Sequence, residues 1–168
     1  FIALVEAACP EQVTLVPDDN DQLTSDHGFN LSISGDYLKP LIQRFQNLGI
    51  RVSLFMDPDI EQISLAKAIG ANRIEFYTGP YAHAHKQRSK ELEPIFEGYR
   101  LAAEHAHNIG LELNAGHDLN LDNLSQFLTI PHIAEVSIGH ALIVDAIDIG
   151  LSSAVTRYSD ICHNSHQD

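Results

Sequence analysis

Leu113-Asn114-Ala115-Gly116-His117-Asp118 and Val136-Ser137-Ile138-Gly139-His140-Ala141 are two short segments of similar design. Each reads as a buried strand that stops at a Gly-His pair, and each pair is followed by a helical pattern. Glycine lets the backbone come close to a bound group, and amides at a helix N-terminus point outward towards it. That arrangement suits a phosphate, and the two imidazoles stand where a proton could be transferred. A single pair reads most simply as an ordinary strand-to-helix turn with a surface histidine. The repeat on consecutive strand ends favours the functional reading.

Outward from these segments the same alternation continues. Phe1 to Ala8 reads as the middle of an amphipathic helix without a cap, so the chain is expected to begin inside an element. Gln12 to Pro17 is a short apolar run ended by proline, which predicts a strand. Residues 18–35 are polar and rich in Asp, Asn, Ser and Gly, the composition of a long loop. Asp36 is placed to cap a helix with apolar positions Leu38, Leu41, Ile42, Phe45 and Leu48, stopped by Gly49.

Arg51 to Met56 is the next strand. Asp57-Pro58 supplies an N-cap and a first-turn proline for a helix that closes at Gly70. Arg73 to Tyr77 is a strand, Thr78 to Arg88 a loop, and a helix runs from about Ser89 to Gly110. Leu111 to Asn114, a short helix from Leu121 to Leu128, and Ala134 to Ile138 follow. Helical sequence from Ala141 to about Cys162 is broken at Gly150, and His163 to Asp168 is expected to fray.

Five nearly continuous apolar strands alternating with helices predict an α/β fold with a parallel sheet buried on both faces. An open doubly wound sheet and a (β/α)8 barrel both satisfy that pattern. Five strands suit the open sheet. The absence of any G-x-G-x-x-G loop and the start within a helix count against it.

The 168 residues suffice for one domain with a substantial core. Hydrophobic residues make up 44%, and no apolar run approaches a membrane span. The net charge of −13 argues against a nucleic-acid partner, which needs a basic face. It leaves room for a small phosphorylated ligand held by backbone amides. Cys9 and Cys162 are too few and too far apart for a disulfide framework or zinc site, so reduced thiols and a cytoplasmic location are expected.

The ordered set Leu15-Val16-Pro17, Thr24, Val52 to Phe55, Ile74-Glu75 with Thr78-Gly79, Asn114 to His117 and Ile138 to Ala141 resembles the pyridoxine 5′-phosphate synthase family. Those enzymes close the pyridine ring in vitamin B6 synthesis. Each segment alone is weak; their order and spacing are specific, and together they cover nearly the whole chain. The resemblance implies a TIM-type (β/α)8 barrel of which this chain is similar to strands four to eight. On that reading the chain is the C-terminal portion of a larger protein, or a natural truncation, forming a single domain over residues 1–168. The family's first three strands carry an Asp-His pair and an arginine, a catalytic histidine with basic neighbours, and a catalytic glutamate. None of these has a counterpart here.

Carried over residue by residue, the resemblance makes His117 the proton donor. A near-neutral imidazole at a barrel strand end suits loss of water from a condensing ring; a histidine bonded only for structure is the alternative. Asp118, where some relatives have glycine, matches a position that binds ligand through its main chain. Its carboxylate is expected to point away from a phosphate or to cap the next helix. Gly139 and His140 match a phosphate-binding turn. Thr24 matches a residue that contacts the sugar-phosphate substrate. Glu75 belongs either to the polar lining of the barrel mouth or to a buried structural carboxylate.

His83-Ala84-His85 has the look of a metal pair but lacks a supporting carboxylate or cysteine, and reads as a solvated loop. Asp18, Asp19, Asp21 and Asp26 lack the glycine and glutamate of a calcium loop and read the same way.

The implied reaction condenses 3-amino-2-oxopropyl phosphate with 1-deoxy-D-xylulose 5-phosphate, without metal or organic cofactor. Homo-oligomers, commonly octamers, are implied, and neither membrane nor nucleic acid is an expected partner. Two alternatives remain. One is another phosphate-binding barrel isomerase or aldolase, disfavoured because Lys39, Lys67, Lys86 and Lys90 all fall in helices or loops. The other is a truncated, inactive paralogue that binds a phosphorylated metabolite.

Overall fold

A computed structural model describes residues 1–19 and 22–165. Asp21 of the acidic loop and residues 166–168 of the expected tail lie outside them. The order is α1 (Ile2–Ala8), β1 (Gln12–Leu15), α2 (Leu31–Gln46), β2 (Arg51–Met56), α3 (Ile60–Ala68), β3 (Arg73–Tyr77), α4 (Gly79–Gln87) and α5 (Leu92–Asn108). Then come β4 (Glu112–Gly116), α6 (Leu124–Phe127), β5 (Ile133–Ser137), α7 (His140–Ile149) and α8 (Leu151–Asn164). All strand pairs are parallel and the sheet runs β1-β2-β3-β4-β5, in chain order without a reversal. Right-handed crossovers in one direction put the connecting helices on one face, so no doubly wound switch point arises.

The sheet also curls. Its edge strands would lie roughly 19 Å apart if the five strands were flat. Yet Gln12 Nε2 of β1 donates to Glu135 Oε1 of β5 at 3.4 Å. That contact closes the concave face across three intervening strands, as in the wall of a barrel.

The strands alternate more strictly than the expected continuous apolar runs. Towards the helices they present Val13 and Leu15, Val52, Leu54 and Met56, Ile74 and Phe76, and Leu113 and Ala115, all buried. The other parity carries polar groups: Thr14, Ser53, Arg73, Glu75 and Asn114. Arg73 Nη1 donates to Asn114 Oδ1 at 3.0 Å and to Glu135 Oε2 at 2.7 Å, and Arg73 Nε donates to Glu112 at 2.5 Å. The concave face is a polar network, whereas the core lies between sheet and helices. β2, β3 and most of β4 are buried on both faces, as expected, but β5 is largely exposed.

Two helices show how the outer layer seats itself. In α2, Leu38, Ile42 and Phe45 form one buried stripe, each contributing about 1.5–3 kcal/mol by leaving water. In α5, Tyr99, Ala102, Ala103 and Ala106 face the sheet, and the alanines allow a close approach.

Three local expectations are corrected. First, α2 starts at Leu31, so Asp36 is inside it and the preceding loop is shorter; the Leu31 amide donates to Gln62 Oε1 of α3 at 2.7 Å, a tertiary anchor invisible in local sequence. Second, the cap of α3 is Asp59, which accepts from the Gln62 amide at 3.0 Å. Asp57 instead accepts from the Gly28 amide, also at 3.0 Å. Third, Thr78 to Arg88 is mostly helix α4, with Pro80 in its first turn and Arg88 ending it in the left-handed region. His83 and His85 are therefore on a helix and point to different sides of it.

Candidate active site

The C-terminal ends of the strands gather the residues singled out by sequence. His117 follows β4 directly, and the Gly139–His140 turn follows β5, the neighbouring strand. Thr24 reaches the same end from the loop between β1 and α2, with its Oγ1 2.8 Å from His117 Nε2. That loop is anchored at its far end. The Phe29 amide donates to the Phe55 carbonyl at 2.9 Å, beside the Gly28–Asp57 bond. A Cβ on Gly28 would come within 2.2 Å of the Asp57 nitrogen, so only glycine lets the loop lie against β2.

The His117 side chain is 17% exposed and sits in an aromatic cradle. Tyr77, ending β3, meets it edge-on with ring centres 5.1 Å apart. Phe55, near the end of β2, lies 5.6 Å from Tyr77 and 6.5 Å from His117. Asp118 Oδ2 is 3.2 Å from His117 Nδ1, within ion-pair range but without hydrogen-bond alignment. Nδ1 is shielded from solvent and has no hydrogen-bond partner among the described residues. The Asp118 carboxylate thus turns back on the imidazole; among the described residues it caps no helix.

The turn itself is strained. His117 has φ +83° and Asp118 φ +59°, two consecutive side-chain-bearing residues in the left-handed region. Each costs about 1–2 kcal/mol, so surrounding bonds must hold them. The Asp118 carbonyl accepts from Asn123 Nδ2 at 3.1 Å and Asn120 Nδ2 at 3.4 Å. From β3, the buried Thr78 hydroxyl is 2.8 Å from the Gly116 carbonyl and also reaches the His117 carbonyl.

Glu75 lies below the rim, in the middle of β3. Its Oε2 accepts from Thr14 Oγ1 at 3.0 Å. Burial pushes its carboxyl above the usual carboxylate range; the nearby Glu135 adds to that shift, and hydrogen bonds from Thr14 and Ser137 oppose it. A Cβ on Gly116 would approach Glu75 Oε1 to 2.5 Å, so this glycine makes room for the carboxyl immediately before His117. Tyr77 is also raised, first by burial and then by the charges of Asp118, Asp26 and Asp57. The rim is acidic.

At the other end of the site, Gly139 and His140 are exposed, and Gly139 precedes the first turn of α7 without a side-chain cap. The first amides of α7 therefore lack intrahelical acceptors, the usual condition for meeting an anion. Among the described residues no group of three or more His, Cys, Asp or Glu side chains has metal-binding geometry, and no helix is long and apolar enough to cross a membrane.

Sequence reasoning gave no site role to Phe55, Tyr77, Thr78 or Gly28, although Phe55 and Thr78 fall within the segments that carry the family resemblance. Strand parity was the available signal for the first two: Arg51-Ser53-Phe55 and Arg73-Glu75-Tyr77 each end their concave row with an aromatic ring. Nothing local marks Gly28 among the polar residues around it.

A family model described as "Pyridoxal phosphate biosynthesis protein PdxJ" matches residues 1–164. Proteins named pyridoxine 5′-phosphate synthase from Porphyromonas gingivalis, Xanthomonas axonopodis pv. citri and Brucella abortus are each 49% identical to this chain, over 162, 167 and 162 residues. The alignments cover 95%, 99% and 94% of this chain, and 66%, 65% and 64% of those relatives, so it spans slightly less than two thirds of their length. The match runs from α1 to the end of α8 and includes every strand end described above. The chain belongs to the PdxJ family of pyridoxal phosphate biosynthesis proteins.

Proposed function

We propose that this chain forms part of a pyridoxine 5′-phosphate synthase, carrying the proton donor and one phosphate anchor. The reaction joins 3-amino-2-oxopropyl phosphate to 1-deoxy-D-xylulose 5-phosphate and releases pyridoxine 5′-phosphate, inorganic phosphate and water. The observation that carries this reading is His117 at the strand end, cradled by Phe55 and Tyr77, with Nε2 turned towards Thr24. In that position the imidazolium can give a proton to a departing hydroxyl as water is lost. Amides of the Gly139–His140 turn hold one phosphate, and Asp118 contributes its main chain. Thr24 contacts the sugar-phosphate, and Glu75 lines the floor. Carbonyl condensation and dehydration need acids, bases and anion anchors, so the proposal requires no metal or organic cofactor.

The architecture supports a (β/α)8 barrel completed by three further βα units. The sheet curls in strand order, among the described residues each edge strand pairs on one side only, and apolar side chains are exposed beside each. Ile143 and Ile147 of α7 are 58% and 80% exposed, and Phe1 is 75% exposed. The acidic rim points the same way. Two phosphorylated substrates need cations that Asp26, Asp57 and Asp118 do not offer, and the family's first strands supply basic residues. A Schiff-base aldolase is less well supported, because Lys39, Lys67 and Lys86 lie on α2, α3 and α4. A cytoplasmic location and an oligomer, of octameric form by family resemblance, belong to the same proposal.

The test is to join this chain to the N-terminal third of the Porphyromonas relative and supply both substrates. The completed chain should release pyridoxine 5′-phosphate and phosphate in equal amounts. The 168-residue chain alone should make none and melt with weak cooperativity, because unpaired parallel edges invite aggregation. A well-folded completed chain without product, or an active chain alone, would overturn the reading.

A further inference from the structure

We infer that Thr78 is a positioning residue for His117, acting through the backbone of the turn that presents the imidazole. The inference rests on the proposed role of His117 and adds a residue that never touches substrate. Thr78 is fully buried between β3 and α4. Its amide donates to the Gly116 carbonyl at 3.2 Å, extending the β3–β4 ladder by one bond. Its hydroxyl reaches both the Gly116 and the His117 carbonyls, and no other donor to the His117 carbonyl occurs among the described residues. A hydroxyl has one proton, so the two carbonyls share a single donor.

What this hydroxyl holds is a conformation that the sequence does not favour. His117 and Asp118 both have positive φ, and neither is glycine. Left-handed backbone at such residues persists only where the surroundings over-determine it. The Asn120 and Asn123 side chains fix the far side of the turn at the Asp118 carbonyl; Thr78 fixes the near side, at the residue that carries the imidazole. Thr78 is itself held. Tyr99 of α5, buried, donates its hydroxyl to the Tyr77 carbonyl at 2.5 Å, which locks the peptide leading into Thr78. The line of contact runs from the outer helix through β3 to the His117 backbone.

Without the hydroxyl, the His117 carbonyl has no donor among the described residues, and the turn gains by relaxing towards negative φ. The imidazole would then leave its place over Tyr77 and opposite Thr24. Substrate anchoring at the Gly139–His140 turn does not depend on that bond. Loss of the hydroxyl should therefore appear in turnover and leave substrate binding nearly unchanged. A displacement of about 1 Å at a reacting group can cost on the order of 100-fold in rate.

The experiment compares Thr78→Val, which keeps the shape, with Thr78→Ser, which keeps the hydroxyl, in the completed chain. Thr78→Val should lower kcat about 10- to 100-fold with KM within about twofold, and Thr78→Ser should restore most of the rate. In parallel, ¹⁵N-histidine spectra assigned with His117→Asn read the imidazole directly. The His117 ring signals should shift in Thr78→Val and return in Thr78→Ser. This second reading separates the two ideas. An inactive parent whose His117 signals still move in the valine variant and return in the serine variant removes the proposed reaction and leaves the positioning role standing. Unmoved His117 signals with unchanged kcat in Thr78→Val, or equal losses in the valine and serine variants, would overturn the positioning role.

Discussion

Thr24 and His117 are 93 positions apart in sequence and meet with Oγ1 and Nε2 at 2.8 Å. The contact joins the loop after β1 to the turn after β4, across the ends of two intervening strands. It marks Nε2 as the nitrogen that faces the open end of the site, since Nδ1 is turned towards Asp118. Any group that takes a proton from this imidazole must approach where the Thr24 hydroxyl now stands.

His117→Asn in the completed chain should keep the shape of the site while removing the proton relay. Turnover is expected to fall by about 10²–10⁴, the usual range for loss of a general acid or base, with little change in substrate affinity. Single-turnover kinetics with both substrates measures this, and unchanged turnover would remove His117 from the mechanism.

Gly28→Ala should detach the loop that carries Thr24. The added Cβ meets the backbone of Met56 and Asp57, at 2.2 Å from the nearest atom, and neither neighbour can move without disturbing the end of β2. Loss of the Gly28–Asp57 and Phe29–Phe55 bonds would cost about 1 kcal/mol each. Faster proteolysis within residues 16–30, together with a raised KM, is the expected outcome; a loop as protected as in the parent would contradict the packing described here.

Glu75→Gln should change how stability depends on pH. Burial raises the carboxyl in the folded state, so the folded chain holds its proton more tightly than the unfolded chain. The associated stability is complete below the unfolded value and is lost as pH rises through the raised folded value. The Gln variant lacks that loss. Urea midpoints from about pH 4 to pH 8 should show the variant gaining on the parent as pH rises, then holding a constant difference. A difference independent of pH would mean that burial does not raise the Glu75 carboxyl.

An anion should bind at the Gly139–His140 turn. Crystals grown with phosphate are expected to place it within hydrogen-bond reach of the first amides of α7, where no side chain competes as a cap. Phosphate ordered elsewhere at the rim, with this turn empty at saturation, would shift the anchor to another element.

Much of the fold can be read locally. Gly49, Gly70 and Gly110 each take positive φ where the helical patterns of α2, α3 and α5 stop, as their places in sequence require. The two Gly-His pairs do fall at strand ends on one edge of the sheet. The readings that failed were those decided by a partner distant in sequence or by burial. Asp57 and Asp59 are both plausible caps for α3, and the choice depended on Gly28 claiming Asp57 from another part of the chain. The early start of α2 depended on Gln62 of α3 receiving the Leu31 amide. In Thr78 to Arg88, a loop-like composition was overridden by burial of Tyr81, Ala82 and Ala84 on one side of α4.

The sequence by itself determined the five strands, the helices other than α4, and their order. Those properties depend on side-chain chemistry within a few residues of each position. Only the tertiary structure decided that Gln12 reaches Glu135, that Thr24 reaches His117, and that the Asp118 carboxylate turns towards the imidazole. These depend on how far the sheet curls and how the loop after β1 is anchored, and both are set by the packing of many residues at once, so no short stretch of sequence carries them.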